Sequence, residues 1–350
     1  MFDKARLYES CDQTYKALIP ILERQNKFTD LCKAYAHLSG VFHELASAVD
    51  KNDRLLGTYY RIGFYGSAFG PERDGKEFIY KWPLVTRLVE VVGEMRSLYS
   101  KLLQGDIVVY KDSSVIDPKK IDPKTNLLQI TYVVPHFSPE DAKMRTDFIS
   151  RTTNLQEFIF TTPFTKDSGG RAHAKHCTSQ YKRKTILRVS NPFPSLKTAQ
   201  EVVSRSELIL GPLQNAIEDI DERAHRLEVA LAKIPISIKN LSGILHGVVI
   251  AQVHGGPVEI CHAFLKDSKE EYPKPKLASL RAALRRLLQA CQRGLDVVAG
   301  DSKNGDQLIK HLNNGFDTIC TEMRPYIQRE KRKSKAGSQS EAKSVRFAVS

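Results

Sequence analysis

The stretch Leu245-His-Gly-Val-Val-Ile-Ala-Gln-Val-His-Gly-Gly-Pro257 limits what this chain can fold into more than any other. It lies between two long helical patterns and runs on into Val258-Glu-Ile-Cys-His-Ala-Phe-Leu265, so the default outcome is one apolar helix. Gly247, Gly255 and Gly256 each cost such a helix about 1 kcal/mol relative to alanine, and Pro257 has no amide hydrogen to donate. Periodicity alone leaves two readings open: a kinked core helix, towards which it leans, and a helix interrupted by a bulging loop. In the second reading the bulge presents Val249, Ile250, Ala251 and Val253, which bring no acid, base or nucleophile. Such a loop can wedge into a partner but cannot do covalent chemistry.

The rest of the chain divides by pattern. Residues 3–50 predict two helices, with Leu7, Cys11, Tyr15, Leu18 and Leu22 at helical spacing and Leu31, Tyr35, Leu38, Phe42, Leu45 and Val49 after a break near Gln25-Asn26. Residues 54–205 are β-rich, with runs at 58–65, 107–110, 127–134, 155–162 and 185–189 bounded by Gly, Pro, Asp or Ser. One helix, Leu84 to Leu103, interrupts them. Long alternating helices of a parallel array are lacking, so the sheets are expected to be mostly antiparallel.

Residues 206–328 are helical again. Stripes at Leu213–Ile234, Leu277–Val298 and Leu308–Ile327, together with the interrupted segment at 238–265, predict a four-helix bundle. The tail at 329–350 is rich in Lys, Arg, Ser, Gly and Gln and reads as disordered. The fold class is therefore α+β and multi-lobed, with lobes at 1–53, 54–205 and 206–328.

Composition excludes several function classes. No apolar run reaches the 18 or more residues of a membrane span, and Met1-Phe-Asp-Lys-Ala-Arg lacks the apolar core of a signal peptide. Six scattered cysteines without a CxxC pair fit reduced thiols in a cytoplasmic protein. The net charge of +13 suits an acidic protein, an anionic membrane or nucleic acid, but no nucleic-acid module is visible and no nucleic-acid partner is expected. His173-Ala-Lys-His176-Cys177 lacks a second ligand pair at zinc spacing and reads as a loop, so no metal site is expected. The carboxylates Glu218, Asp219, Asp221 and Glu222, interleaved with Arg223 and Arg226, read as an ion-paired helix face. There is no Ser/His/Asp or Cys/His set, and so no hydrolytic enzyme.

A co-linear series of motifs goes further. Gly57-Thr-Tyr-Tyr-Arg-Ile-Gly-Phe-Tyr-Gly66, Lys76-Glu-Phe-Ile-Tyr-Lys81, Lys111-Asp-Ser113, Ile121-Asp-Pro123, Gln129-Ile-Thr-Tyr-Val133, Thr162-Pro-Phe-Thr165, Gln180-Tyr-Lys-Arg-Lys-Thr-Ile-Leu187, Phe193-Pro194 and Ala216-Ile-Glu-Asp219 precede G-x-V-x-x-x-V-x-x-G-P at the interrupted helix. Over residues 10–328 this series resembles the exchange-factor region of the DOCK family (DOCK homology region 2, also called the DOCKER domain). The resemblance is strongest to the zizimin-like and Rac/zizimin-intermediate branches.

The resemblance implies a guanine nucleotide exchange factor for Rho-family GTPases, acting in the cytoplasm with possible membrane recruitment and in control of the actin cytoskeleton. It implies that Val253, flanked by Val249, Ile250, Ala251, Gln252, His254, Gly255 and Gly256, enters the GTPase and occludes its Mg²⁺. It implies that Gln180, Tyr181, Lys182, Arg183, Lys184 and Thr185, with Asn191, Phe193 and Pro194, belong to the sheet region that grips the GTPase. Asn191-Pro192 stands where the family usually has a His-Ala or similar pair. No cofactor is implied, since GDP, GTP and Mg²⁺ belong to the partner. The family's helical array dimerises; here the pattern begins inside that array, which implies N-terminal truncation. Homodimerisation through the first helices and anionic membrane contact by the basic tail are further expectations, and the alternative function is an exchange-inactive GTPase-binding scaffold.

Overall fold

A computed structural model describes residues 8–50, 58–82, 86–113, 116, 121, 125–165, 177–250, 256–266, 272–300 and 306–328. The chain forms two compact units, one of residues 1–174 and 179–212, the other of 175–178 and 213–350.

The first unit opens with α1 (Tyr8–Arg24) and α2 (Phe28–Asp50). Asn26 turns the chain between them with φ of 52°, a left-handed conformation that asparagine tolerates. Cys11, Val41 and Leu45 form a small core of their own, closed by Tyr8. Tyr35 and Phe42 of the predicted stripe stay in solvent, as does Phe28 at the start of α2.

Seven strands follow among the described residues: β1 (Thr58–Tyr65), β2 (Glu77–Trp82), β3 (Ile107–Tyr110), β4 (Asn126–Pro135), β5 (Leu155–Phe164), β6 (Tyr181–Phe193) and β7 (Ala199–Leu210). Their order is β1-β2-β7-β6-β5-β4-β3, and β1 also pairs with β4, so six antiparallel strands close into a ring with β3 added in parallel. The predicted antiparallel lobe is present. Strand pairing runs past residue 205, to Leu210. The strands β2 and β7 and the short helices α4 (Pro139–Met144) and α5 (Phe148–Thr152) are not among the elements predicted from periodicity.

Every residue of β1 is buried because both faces are covered. Successive side chains point to opposite faces. Tyr60, Ile62 and Phe64 therefore pack with Val91, Val92, Met95 and Tyr99 of α3 (Leu88–Leu103), while Tyr59 packs with Ile79, Phe158, Leu187 and Phe193. Arg61 shares Tyr59's parity and is only 3% exposed. It donates to Gln129 Oε1 at 2.9 Å and Thr131 Oγ1 at 3.3 Å, and it is ion-paired with Glu77. Glu77 accepts from Arg205 at 3.1 Å, and Arg205 donates to Glu207 at 2.6 Å.

This chain of charges spans β1, β2 and β7. The β2–β7 seam has a ladder of only Phe78↔Glu201, Ile79↔Gln200 and Tyr80↔Ala199, so the ion pairs extend its contact.

The second unit is the predicted bundle: α6 (Pro212–Ala232), α7 (Ile238–Val249) with α8 (Pro257–Cys261), α9 (Lys274–Ala299) and α10 (Asp306–Ile327). Ile220, Leu227, Leu241, Leu245, Leu284, Leu287, Leu312 and Met323 are fully buried in one core. Leu245 lies over Gly294, where a Cβ would meet its methyls at 3.2 Å, so α7 and α9 approach closely. Ile234, predicted to end the first stripe, lies beyond α6 and is exposed. Cys177, read as part of a loop, is buried in this core, and burial pushes its thiol up to about 11. None of the six cysteines is in a disulfide. No described helix is long and apolar enough to cross a membrane.

Burial drives the Glu77 carboxyl up, but the hydrogen bond and charge of Arg61, with Arg205, outweigh it and hold the group below its ordinary range. Such a carboxylate stabilises the fold above its unfolded pKa of about 4.3, and that contribution is lost as pH falls through the lower folded value. Glu77→Gln is expected to lower the unfolding free energy at neutral pH by about 3 kcal/mol, as breaking a buried pair does. It should also flatten the acid limb of the stability curve. Urea denaturation followed by the fluorescence of Trp82, the single tryptophan, reads both.

Candidate functional site

The interrupted helix is broken at its centre. α7 ends at Val249, and Ile250 closes the last turn by donating its amide to His246 O at 2.9 Å. The helix restarts with Gly256 as the N-cap (φ −60°, ψ 161°) and Pro257 at the first helical position. A first-turn amide has no partner within its helix, so proline is tolerated there. Ile260 N donates to Gly256 O at 3.0 Å, and a π turn, His262–Lys266, follows α8 and buries Phe264. The glycine-proline sequence that weakens a continuous helix thus serves to start a new one.

The five residues between the halves, Ala251, Gln252, Val253, His254 and Gly255, lie outside the described residues. Their neighbours correct one expectation. Val249 and Ile250 are not presented to a partner: Val249 is 3% exposed and Ile250 is half-buried against the bundle core. Gly256 is buried as well. Leu241, Leu245, Val248 and Val249 fall on one helical face, and that face is turned inward.

Gly315 of α10 makes this seat possible. A Cβ there would lie 2.5 Å from Ile250 Cδ1 and 2.8 Å from Val249 Cγ1. On the solvent side, His246 and His311 stand with ring centroids 6.4 Å apart. The root of the break is a packed joint between α7 and α10.

The second predicted cluster lies on the ring. β6 starts at Tyr181 and ends at Phe193, so Gln180–Thr185 and Asn191–Pro194 mark its opposite ends. Arg183 and Asn191 are eight residues apart, about 26 Å along a strand, and the two groups do not form one patch. Thr185 and Phe193 are each 0% exposed, which rules out direct contact with a partner. Phe193 instead packs on Tyr59 and Phe158 at centroid distances of 5.3 and 5.7 Å. Asn191 is exposed and bonds to Gln200 Oε1 at 3.3 Å, while Pro194 is half-buried. Gln180, Tyr181, Lys182, Arg183 and Lys184 each keep some exposure.

Among the described residues no group of three or more His, Cys, Asp or Glu side chains could hold a metal ion. The bundle offers a broken helix and the ring offers basic side chains at the start of β6, which are means of binding.

Comparison with known proteins identifies the class. The family described as DHR-2, Lobe B, matches residues 113–192, and DHR-2, Lobe C, matches residues 226–326. Dedicator of cytokinesis protein 6 from Mus musculus is 36% identical over 299 residues, covering 84% of this chain and 14% of that protein. Dedicator of cytokinesis protein 7 from Homo sapiens is 34% identical over 338 residues, covering 94% of this chain and 15% of that protein. Dedicator of cytokinesis protein 8 from Homo sapiens is 32% identical over 339 residues, covering 94% of this chain and 16% of that protein. The chain belongs to the dedicator of cytokinesis (DOCK) family and carries its DHR-2 region. It spans about one-seventh of the length of these relatives.

Gly315→Ala tests the joint. The added methyl overpacks Val249 and Ile250 and is expected to cost about 1–3 kcal/mol, read as a lowered thermal midpoint with unchanged helical circular dichroism.

Proposed function

We propose that this chain is a guanine nucleotide exchange factor region for Rho-family GTPases, Rac-like or closely related. The observation that carries the reading is the helix broken between Val249 and Pro257 inside a DHR-2 lobe C match. The five residues at the break hold two aliphatic side chains, Ala251 and Val253, and no carboxylate.

A Rho GTPase holds GDP through phosphate contacts and an octahedral Mg²⁺ that demands oxygen ligands. Val253 entering that site supplies a methyl where the hard cation needs an oxygen. Mg²⁺ leaves, the diphosphate loses its main counter-charge, and GDP affinity falls. No covalent bond is made or broken. The partner brings the nucleotide and the metal, and this chain brings the wedge. GTP arriving with its own Mg²⁺ displaces the wedge and gives the cycle a direction. The packed seat of Val249 and Ile250 on Gly315 supports this reading, because a wedge needs a rigid root to push against.

Two further parts belong to the proposal. Phe28, Tyr35 and Phe42 recur every seven residues on α2, are 68%, 50% and 44% exposed, and alternate with the half-buried Leu31 and Leu38. Such a seam supports pairing of two copies through the first helices. The basic run Arg329-Glu-Lys-Arg-Lys-Ser-Lys335 supports contact with anionic lipid from the cytoplasmic side, and the downstream process is small-GTPase signalling to the actin cytoskeleton.

The chain is expected to accelerate release of a fluorescent GDP analogue from at least one Rho GTPase. Val253→Ala should reduce that acceleration by about tenfold or more while binding to nucleotide-free GTPase persists. Binding without acceleration by the native chain identifies a scaffold instead. For the seam, Tyr35→Glu is expected to convert a dimer to a monomer in light scattering, and a native chain that is monomeric at high concentration removes that part of the proposal.

A further inference from the structure

We infer that Arg183 is a specificity-determining residue of the β lobe, a preset receptor for one carboxylate on the surface of the partner GTPase. This rests on the exchange-factor reading above and gives the chemistry of one of its contacts.

Arg183 sits near the start of β6, opposite Thr162 of β5 and Ile209 of β7. Its guanidinium carbon lies 5.2 Å from the centroid of the Phe164 ring, and Phe164 stacks on Tyr181 at 5.6 Å with a 30° interplanar angle. The guanidinium therefore rests on an aromatic shelf held by two neighbouring strands. Glu207 Oε2 is 3.3 Å from its Nε, which is buried and makes no hydrogen bond. Glu207 is already engaged on its other oxygen, where Arg205 donates at 2.6 and 2.9 Å. Arg183 is thus steered by Glu207, while its terminal nitrogens are without a partner among the described residues.

The side chain keeps 24% of its surface in solvent. A planar cation fixed on two sides, its outer fork unpaired among the described residues, matches a carboxylate approached edge to edge. Little rotamer entropy is left to lose on binding, which favours affinity. Lys182 and Lys184, on the opposite face of the strand by alternation, add positive charge nearby. Glu207 and Phe164 are positioning residues in this arrangement.

The test uses the full chain and a responsive Rho GTPase in the GDP-release assay. Arg183→Gln is expected to raise KM about tenfold or more with kcat near the native value, and to make KM less sensitive to salt. Arg183→Lys should not restore KM, since an ammonium lacks the fork. Arg183→Glu should be rescued by reversing one Asp or Glu of the GTPase to Arg. Phe164→Leu, which removes the shelf and keeps the charge, should raise KM by a smaller factor and provides the check if Arg183→Gln does not fold. An unchanged KM in Arg183→Gln, or no rescue across a panel of single GTPase charge reversals, overturns the inference and leaves the exchange reading intact. Absence of binding and acceleration by the native chain across the Rho family is the separate result that removes both.

Discussion

An α-helix is held by amide hydrogens donated four residues back along the chain, and Pro257 has none to give. Placed mid-helix it would break the ladder, yet it stands at the first helical position of α8, where no intrahelical partner is required. Gly256 caps that new start, and α7 stops after Val249. Everything proposed for this chain depends on that rearrangement. The bundle keeps a closed apolar core around the two half-helices α7 and α8.

The joint then has to be firm. Val249 and Ile250 bear on α10 at Gly315, and the π turn after α8 lets Phe264 return to the core. The aliphatic side chains before the break hold the first half down, and the capping glycine and proline orient the second. Packing beside the break therefore matters as much as the break's own residues.

The β lobe handles charge by a different rule. Arg61 is buried because both faces of β1 are covered, and its parity sets it among Gln129, Thr131 and Glu77. Arg205 and Glu207 carry the alternation across β7, and Arg183 ends it on β6. A network that begins as buried electrostatics at β1 finishes as a partly exposed guanidinium on the side of the lobe proposed to meet a partner. Stability of the ring and presentation of one basic group are linked through shared carboxylates.

Periodicity and breakers made much of this legible. The bundle stripes, the helix pair with its turn near Asn26 and the antiparallel lobe follow from spacing and turn residues, since burial of an apolar face acts locally; at the glycines and Pro257 periodicity leans towards a kinked core helix, and the resemblance favours the interruption. Pairing was harder to read. β7 carries Ser204, Arg205, Ser206 and Glu207, polar on both faces, and becomes a strand because β6 supplies hydrogen bonds along its length. Thr185 and Phe193 share a motif with exposed neighbours, and only the ring decides that their parity points inward. Val249 lies in phase with Leu241, Leu245 and Val248, yet proximity to the glycines suggested a loop; the gap left by Gly315, more than sixty residues later, drew it into the core. Local stereochemistry can be read along a chain, whereas which face is inside and which charge meets which depend on residues that come together only when distant strands and helices pack.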